Sequence, residues 1–303
     1  MTIAQTQSKT ASFVIANAFS KNHFGGNPAA IIFLDFDLPT ETLLNIAKNF
    51  NQPIATFIFP SDSQPTNATE HAYRVRWFTI TDEIFLCGHG TLAAAGAIFS
   101  SGFGTILCHY SSPSSPQMEG KLIAKKVGEW VEITLLLRRH NPLDGDEARR
   151  LKGVVQRAFG LPPVNVKFVG RGGEGFGHQF IAEIDEKDDL GGRAVDTSVF
   201  AESNYNTNII TSASTRGDSL FHSRMFAPVH GIPEDHVCGS AHCSLTTYWA
   251  EKTGKGGDQM LAKQVSRRGG DLKVQWLREE GEGAGRVALQ GEVLVTMKGE
   301  LYL

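Results

Sequence analysis

Several things are missing from this sequence, and each absence removes a class of function. No stretch of the 303 residues approaches the roughly eighteen consecutive apolar residues that a membrane-spanning helix needs. The first residues, MTIAQTQSKTAS, are polar and lack an apolar signal core, so a cytoplasmic protein with a short lead-in is expected, without a membrane partner. There is no excess of basic charge. The formal net charge is −3, the pI is about 6.4, and the basic clusters are pairs such as Arg138-Arg139, so nucleic acid is not an expected partner. There are only four cysteines, Cys87, Cys108, Cys238 and Cys243, and none forms a C-x-x-C pair. In a cytosolic chain these are thiols rather than disulfides. Cys238 and Cys243 with His242 make an incomplete zinc pattern, so no metal is expected. The glycine-rich stretch GRGGEGFG (170–177) has the wrong spacing for a dinucleotide loop and no helix signal after it. No cofactor is expected.

What remains is an ordinary globular composition, 41% hydrophobic and 20% charged. It suits one large domain or two of about 150 residues. Alternating apolar patterns mark strands at 12–18, 23–35, 71–79 and along most of the C-terminal tail. PTETLLNIAKNFN (39–51) reads as an amphipathic helix with a Thr–Glu start. CGHGTLAAAGAIFS carries no charge from Gly88 to Ser100 and reads as a helix wrapped by protein on all sides. SAHCSLTTYWAEKTG reads as a second such helix, stopped at Gly254.

These two helices belong to an internal repeat. RWFT, DE and CGHGTLAAA at 76–95 match RMFAP, ED and CGSAHCSL at 224–245 in order and residue type, with the cysteines 151 positions apart. Two similar α+β halves are expected, each a curved, mostly antiparallel sheet around one buried helix. The boundary lies near 115–145, giving halves of 1–125 and 126–287.

Each repeat puts a cysteine at a helix start. Unpaired N–H groups and the helix dipole there favour a thiolate and receive an anion. If both starts face one cleft, Cys87 and Cys238 can work as a pair: one thiolate removes a proton from carbon and the other thiol returns one. The N–H groups of Gly88, Gly90 and Gly239 would stabilise the developing oxyanion. Against this stands the common role of cysteine as a small buried hydrophobe, which is the reading for Cys108 and Cys243. His89 is either an acid/base and substrate contact or a helix-start cap. Asp235 is a substrate contact or a turn carboxylate, and Ser240 a substrate donor or a cap. Asn27 in GGNPAA either orders its loop or touches substrate. Arg267 and Arg268 are a possible carboxylate contact, though a solvated pair is the commoner outcome.

The stretches FGGNPAAIIF, RWFTITDEIFLCGHGTLAAA, FAPVHGIPEDHVCGSAHCSLTTYWAEKTGK and QVSRRGGDL resemble, in order and over nearly the whole chain, the phenazine-biosynthesis PhzF-like family of the diaminopimelate epimerase and proline racemase fold group. The resemblance implies two pseudo-symmetric barrel-like halves, each around a central helix, with the last strand, within 288–303, returning to the N-terminal half. It implies a small-molecule substrate and a homodimer. It also implies roles for His89, Asp235 and Ser240, which fall on the family's motif. Phenazine-type members use a glutamate in a segment like Ser-Glu-Thr-Ala-Phe. Here NQPIATFIFP puts Ile54 at that position, and Ile54 cannot move a proton. The chain instead pairs Cys87 with Cys238, as the racemase and epimerase branch does.

The leading expectation is a cofactor-independent isomerase acting next to a carboxylate, most simply an amino-acid racemase or epimerase. The alternatives are a double-bond isomerase, lyase or cyclase run by His89 and Asp235, and a binding protein that has lost catalysis.

Overall fold

The computed structural model describes residues 9–61, 70–100, 104–112, 115–278 and 285–303. They divide into two compact units. One takes the residues up to His23, Pro28–Ile133 and Val293–Leu303; the other takes Phe24–Asn27 and Thr134–Glu292.

In the first unit, strand Thr10–Ala18 pairs antiparallel with the last strand, Val293–Tyr302, with a bulge at Ile15/Ala16. Strand Asn27–Phe33 lies parallel to Ala55–Pro60, the crossover being helix α1 (Thr40–Phe50). Ala55–Pro60 then pairs antiparallel with Glu70–Phe78. Glu70–Phe78 turns into the short strand Glu83–Ile84 and also lies parallel to Thr105–Ser112. The crossover to Thr105–Ser112 is helix α2 (Gly88–Phe99).

Side chains alternate across a sheet, and the sequence uses that alternation to dress both faces. Ala55, Phe57, Phe59 and Phe78 meet Leu43, Ile46 and Ala47 of α1 in one core. Ile54, Thr56 and Trp77 point the other way and surround Gly90 of α2. Helix α2 is buried along nearly its whole length, as its lack of charge predicts.

The second unit repeats this order. Gln179–Ile184 lies parallel to Thr207–Ala213, which pairs antiparallel with Phe221–Ala227. Phe221–Ala227 turns into Ile232–Asp235 and lies parallel to Gln259–Gln264. A long helix, α3 (Gly145–Phe159), buries Ala148, Leu151, Val154, Val155, Ala158 and Phe159 against Phe180, Ala182, Ile184 and Ile210. The crossover to Gln259–Gln264 is α4 (Gly239–Thr253), closed by Gly254 in the left-handed region at φ 69°. Antiparallel strands Gly270–Leu277 and Arg286–Gly291 complete the sheet. Among the described residues, no helix is long and apolar enough to cross a membrane.

Gly96 illustrates how tightly α2 is held. A Cβ there would overlap the isopropyl group of Val293 on the last strand. Alanine normally improves a helix interior by about 1 kcal/mol over glycine. Here Gly96→Ala is expected to destabilise the protein, by about 1–3 kcal/mol of overpacking, read from urea unfolding.

Candidate active site

Cys87 is the N-cap of α2, with extended backbone (φ −134°, ψ 107°). The Gly90 N–H donates to its Sγ at 3.4 Å, and Nδ1 of His89 lies 3.4 Å from the same sulfur. His89 therefore engages the thiol, and the Gly90 N–H is also directed at sulfur. Gly90 has no room for a side chain, since a Cβ would lie 2.7 Å from Thr56 Oγ1 and 3.1 Å from Trp77 Cδ1. Ile54 Cγ2 would lie 3.3 Å from the same point. The isoleucine at the glutamate position of the resemblance thus packs against the start of α2.

Cys238 is the matching N-cap of α4. Ser240 Oγ lies 3.2 Å from its Sγ. Burial, and secondarily the Asp235 charge, push the Cys238 thiol up to about 12, with only partial relief from Ser240 and the Ala241 N–H. A helix start alone predicts the opposite direction; desolvation outweighs it here. Asp235 closes strand Ile232–Asp235, and its carboxyl is also raised by burial. The Cys238 thiol, the Asn27 amide and the His236 and Val237 N–H groups offset that only in part.

The repeat is visible atom by atom. Thr91 Oγ1 donates to the Cys87 carbonyl at 2.8 Å, and four residues past Cys238, His242 Nδ1 reaches the Cys238 carbonyl at 2.7 Å. A carbonyl only accepts, so His242 carries its proton on Nδ1 and takes Ser223 Oγ, 3.2 Å away, at Nε2. Burial lowers the His242 pKa to about 4, so the ring is neutral. Four residues before each cysteine stands a glutamate gripped by arginine at both oxygens. Arg76 Nε and Nη2 donate to Glu83 at 2.8 and 2.7 Å; Arg224 Nε and Nη2 donate to Glu234 at 2.6 and 2.9 Å. Each guanidinium lies over the phenylalanine two residues on, Phe78 or Phe226. The halves differ where chemistry would: Ile84 stands opposite Asp235 in the repeat, and His89 opposite Ser240.

The GGNP turn is built into the Asp235 cluster. Asn27 is fully buried, and its Nδ2 donates to Asp235 Oδ1 at 2.8 Å and to the Val237 carbonyl at 2.9 Å. Its amide is therefore directed at Asp235. Arg268 is no solvated side chain. Its Nε and Nη2 donate to the Gly26 and Gly25 carbonyls at 2.8 and 2.9 Å, and Gly26 returns its N–H to Gly269 O at 2.7 Å. Arg267 is exposed. Gln264, which sequence reasoning passed over, accepts the Cys238 N–H at 2.8 Å and donates to the Asp235 carbonyl at 2.7 Å.

The structure thus gathers Asn27, Asp235, Cys238 and Ser240 in one unit, and Cys87, His89 and Gly90 in the other. Gly88 and Gly239 are the first helical residues after the two caps. Cys108 and Cys243 are buried, their thiols pushed up by desolvation to about 12 and about 11. Among the described residues, no three His, Cys, Asp or Glu side chains converge in a way that could hold a metal ion.

The sequence matches the family described as phenazine biosynthesis-like protein over residues 16–124 and 178–299. The chain belongs to that family. An uncharacterized isomerase of Halalkalibacterium halodurans is 31% identical to it, over 97% of this chain and 99% of the relative. The crystal structure of a PhzF-family phenazine biosynthesis protein of Enterococcus faecalis superposes with a TM-score of 0.77, at 28% identity over 97% of this chain and 100% of the other. At 10% identity, over 98% of this chain and 94% of the other, a hydroxyproline epimerase of Agrobacterium vitis has the same fold, with a TM-score of 0.57. This phenazine biosynthesis-like chain is accordingly an isomerase-type enzyme with an α+β, epimerase-like fold of two repeated units.

Proposed function

We propose that the chain is a cofactor-independent racemase or epimerase, acting on an amino acid or amino-acid derivative at the carbon next to the carboxylate. Cys87 and Cys238 are its two proton-transferring groups. The observation that carries this reading is the duplicated cysteine cap, kept together with its arginine–glutamate clamp and the side chain on its carbonyl, but given different partners at sulfur in each half.

Those partners suggest different resting states. The Cys87 sulfur has an imidazole nitrogen at 3.4 Å, which can take or return the thiol proton as the reaction needs. Cys238, pushed up to about 12, rests as a thiol at neutral pH and is the proton donor. Once Cys238 has donated, a buried thiolate beside the Asp235 carboxylate is unfavourable, which favours reprotonation of the sulfur before the next turnover. Helix N–H groups not turned to sulfur are available to the carboxylate of the substrate.

The test is solvent exchange. Incubated in heavy water with L- and D-amino acids and their N-acyl and hydroxy derivatives, the wild-type protein is expected to replace the α-proton of a substrate with deuterium while interconverting its stereoisomers. The Cys87→Ser/Cys238→Ser double variant should do neither. If the double variant keeps wild-type exchange, the cysteines are not the bases. Product that keeps its stereocentre but shifts an alkene would instead favour the His89/Asp235 reading.

A further inference from the structure

We infer that Gln264 is a positioning residue for Cys238: its side-chain amide holds the turn from Asp235 to the helix cap in one geometry, and so fixes the direction in which the sulfur meets the substrate. This rests on the reading that Cys238 handles the substrate proton.

Residues 236–238 belong to neither strand nor helix, so their backbone polar groups need partners from elsewhere. Side chains supply them at each carbonyl from Asp235 to Cys238. The Asp235 carbonyl accepts Gln264 Nε2 at 2.7 Å, and the His236 carbonyl accepts Ser266 Oγ. The Val237 carbonyl accepts Asn27 Nδ2 at 2.9 Å, and the Cys238 carbonyl accepts His242 Nδ1 at 2.7 Å. The His236 and Val237 N–H groups turn back to the Asp235 carboxyl. The Cys238 N–H goes to Gln264 Oε1 at 2.8 Å. Of these four side chains, Gln264 is the one that grips the backbone at both ends of the turn.

Its own place is fixed. Gln264 is fully buried at the end of strand Gln259–Gln264 and lies beside Ser223 in parallel register. The next N–H, that of Val265, donates to the Ser223 carbonyl at 2.8 Å. A backbone N–H only donates and a carbonyl only accepts, so the amide sits one way round. The first unit fills the equivalent place differently. Ser223 precedes Arg224 as Val75 precedes Arg76. Carrying the register Arg74↔His109 on by one residue sets Tyr110 beside Val75, where the second unit has Gln264. Tyr110 packs edge-on against Phe85, with ring centroids 5.0 Å apart, and against Trp77 at 5.4 Å. Ring packing thus stands there in place of the amide fork, and Cys87 has His89 at its sulfur. A thiol that gives its proton from one fixed position depends on a rigid turn, because a reacting group misplaced by about 1 Å can cost about 10²-fold in rate.

Gln264→Met keeps the bulk of the side chain and removes both bonds. The probe is iodoacetamide, with alkylation of each cysteine followed by mass spectrometry of its peptide. Left without Gln264, the Asp235 carbonyl and the Cys238 N–H turn toward water and take the sulfur with them. Cys238 in Gln264→Met is therefore expected to react at least about tenfold faster than in wild type at about pH 8, as its desolvation is relieved. Cys108 and Cys243 should keep their wild-type rates, which a general loosening of the fold would not allow. For a substrate found by solvent exchange, kcat should fall at least about tenfold with KM little changed, because a reacting group is misplaced. Gln264→Asn keeps the amide on a shorter arm that cannot reach both partners, and should fall between. If Gln264→Met does not fold, the Asn variant decides, with several-fold faster alkylation of Cys238 expected. Unchanged Cys238 alkylation in the folded variant, a rise shared by Cys108 and Cys243, or an unchanged kcat overturns the proposal. Because alkylation needs no substrate, it separates from the isomerase reading. A rise confined to Cys238, in a protein whose wild type exchanges no α-proton, would sink that reading and leave the placing of Cys238 by Gln264 standing.

Discussion

Changing Cys238 to serine is expected to lower turnover by about 10²–10⁴-fold, the usual loss for a positioned acid or base, with little change in stability. The change preserves the cap: Gln264 still takes the residue's N–H, and His242 still donates to its carbonyl. Only the proton donor is replaced, by an alcohol far less able to give up a proton. Cys87→Ser should cost as much, because the His89 contact is with sulfur. Cys243→Ala is the control. It removes a buried thiol whose contact is the Gly239 carbonyl, and it should leave turnover within a few-fold. The raised Cys238 pKa has a sign that can be checked separately. Burial is its first cause and the Asp235 charge its second. Asp235→Asn removes the second, so the pH at which Cys238 becomes alkylable should move down but stay above that of an ordinary thiol. A midpoint that moves up in Asp235→Asn would show that the carboxylate was not opposing the thiolate.

The second large effect concerns stability. Glu234→Ala is expected to cost about 3–5 kcal/mol, the range for removing one partner of a buried pair. Arg224 is only 8% exposed, and after the change it would keep its charge with carbonyl partners only, those of Leu190 and Arg193. Glu83→Ala should cost less in the first unit, because Arg76, equally buried, would keep the Asp37 carboxylate at 3.7 Å and the Thr40 hydroxyl. Urea unfolding reads both. The double change Arg76→Met/Glu83→Leu should recover most of the loss, because removing both charges removes the desolvation problem. Losses below about 1 kcal/mol for both single variants would mean that these pairs behave like exposed surface bridges.

Much of this architecture is legible in the chain. The apolar stripe of 39–51, the uncharged run after Gly88 and the glycine stop at Gly254 gave three of the four α-helices described. The spaced match of RWFT–DE–CGHG to RMFAP–ED–CGSA gave the duplication. Helix α3 does not stand out in the sequence, although Asp144, the acidic first turn and the stripe Ala148, Leu151, Val154, Val155 carry its signal. Its polar surroundings, RRHNPLDGD before it and proline after it, look like a boundary between halves. In the site, the cysteines, His89, Asp235 and Ser240 stand out because they lie beside the motif glycines. Gln264 does not, and Arg268 stands out only as a possible carboxylate contact, because their partners are backbone groups far off in sequence, joined only when Gln259–Gln264 lies along Phe221–Ala227 and the GGNP turn closes on Gly269. The direction of the Cys238 shift was also hidden. Sequence reveals a helix start but not how completely its cap is desolvated.

In the proposed reaction two cysteines divide one proton transfer between them. The measurement that tests it most directly is α-proton exchange in heavy water from each pure stereoisomer of a substrate, with wild type, Cys87→Ser and Cys238→Ser side by side. Wild type is expected to exchange both isomers, and each variant to lose interconversion. Any residual exchange should be confined to one isomer, and that isomer should differ between the two variants. Equal residual exchange from both isomers in either variant would contradict it, and would return the proton to a single base.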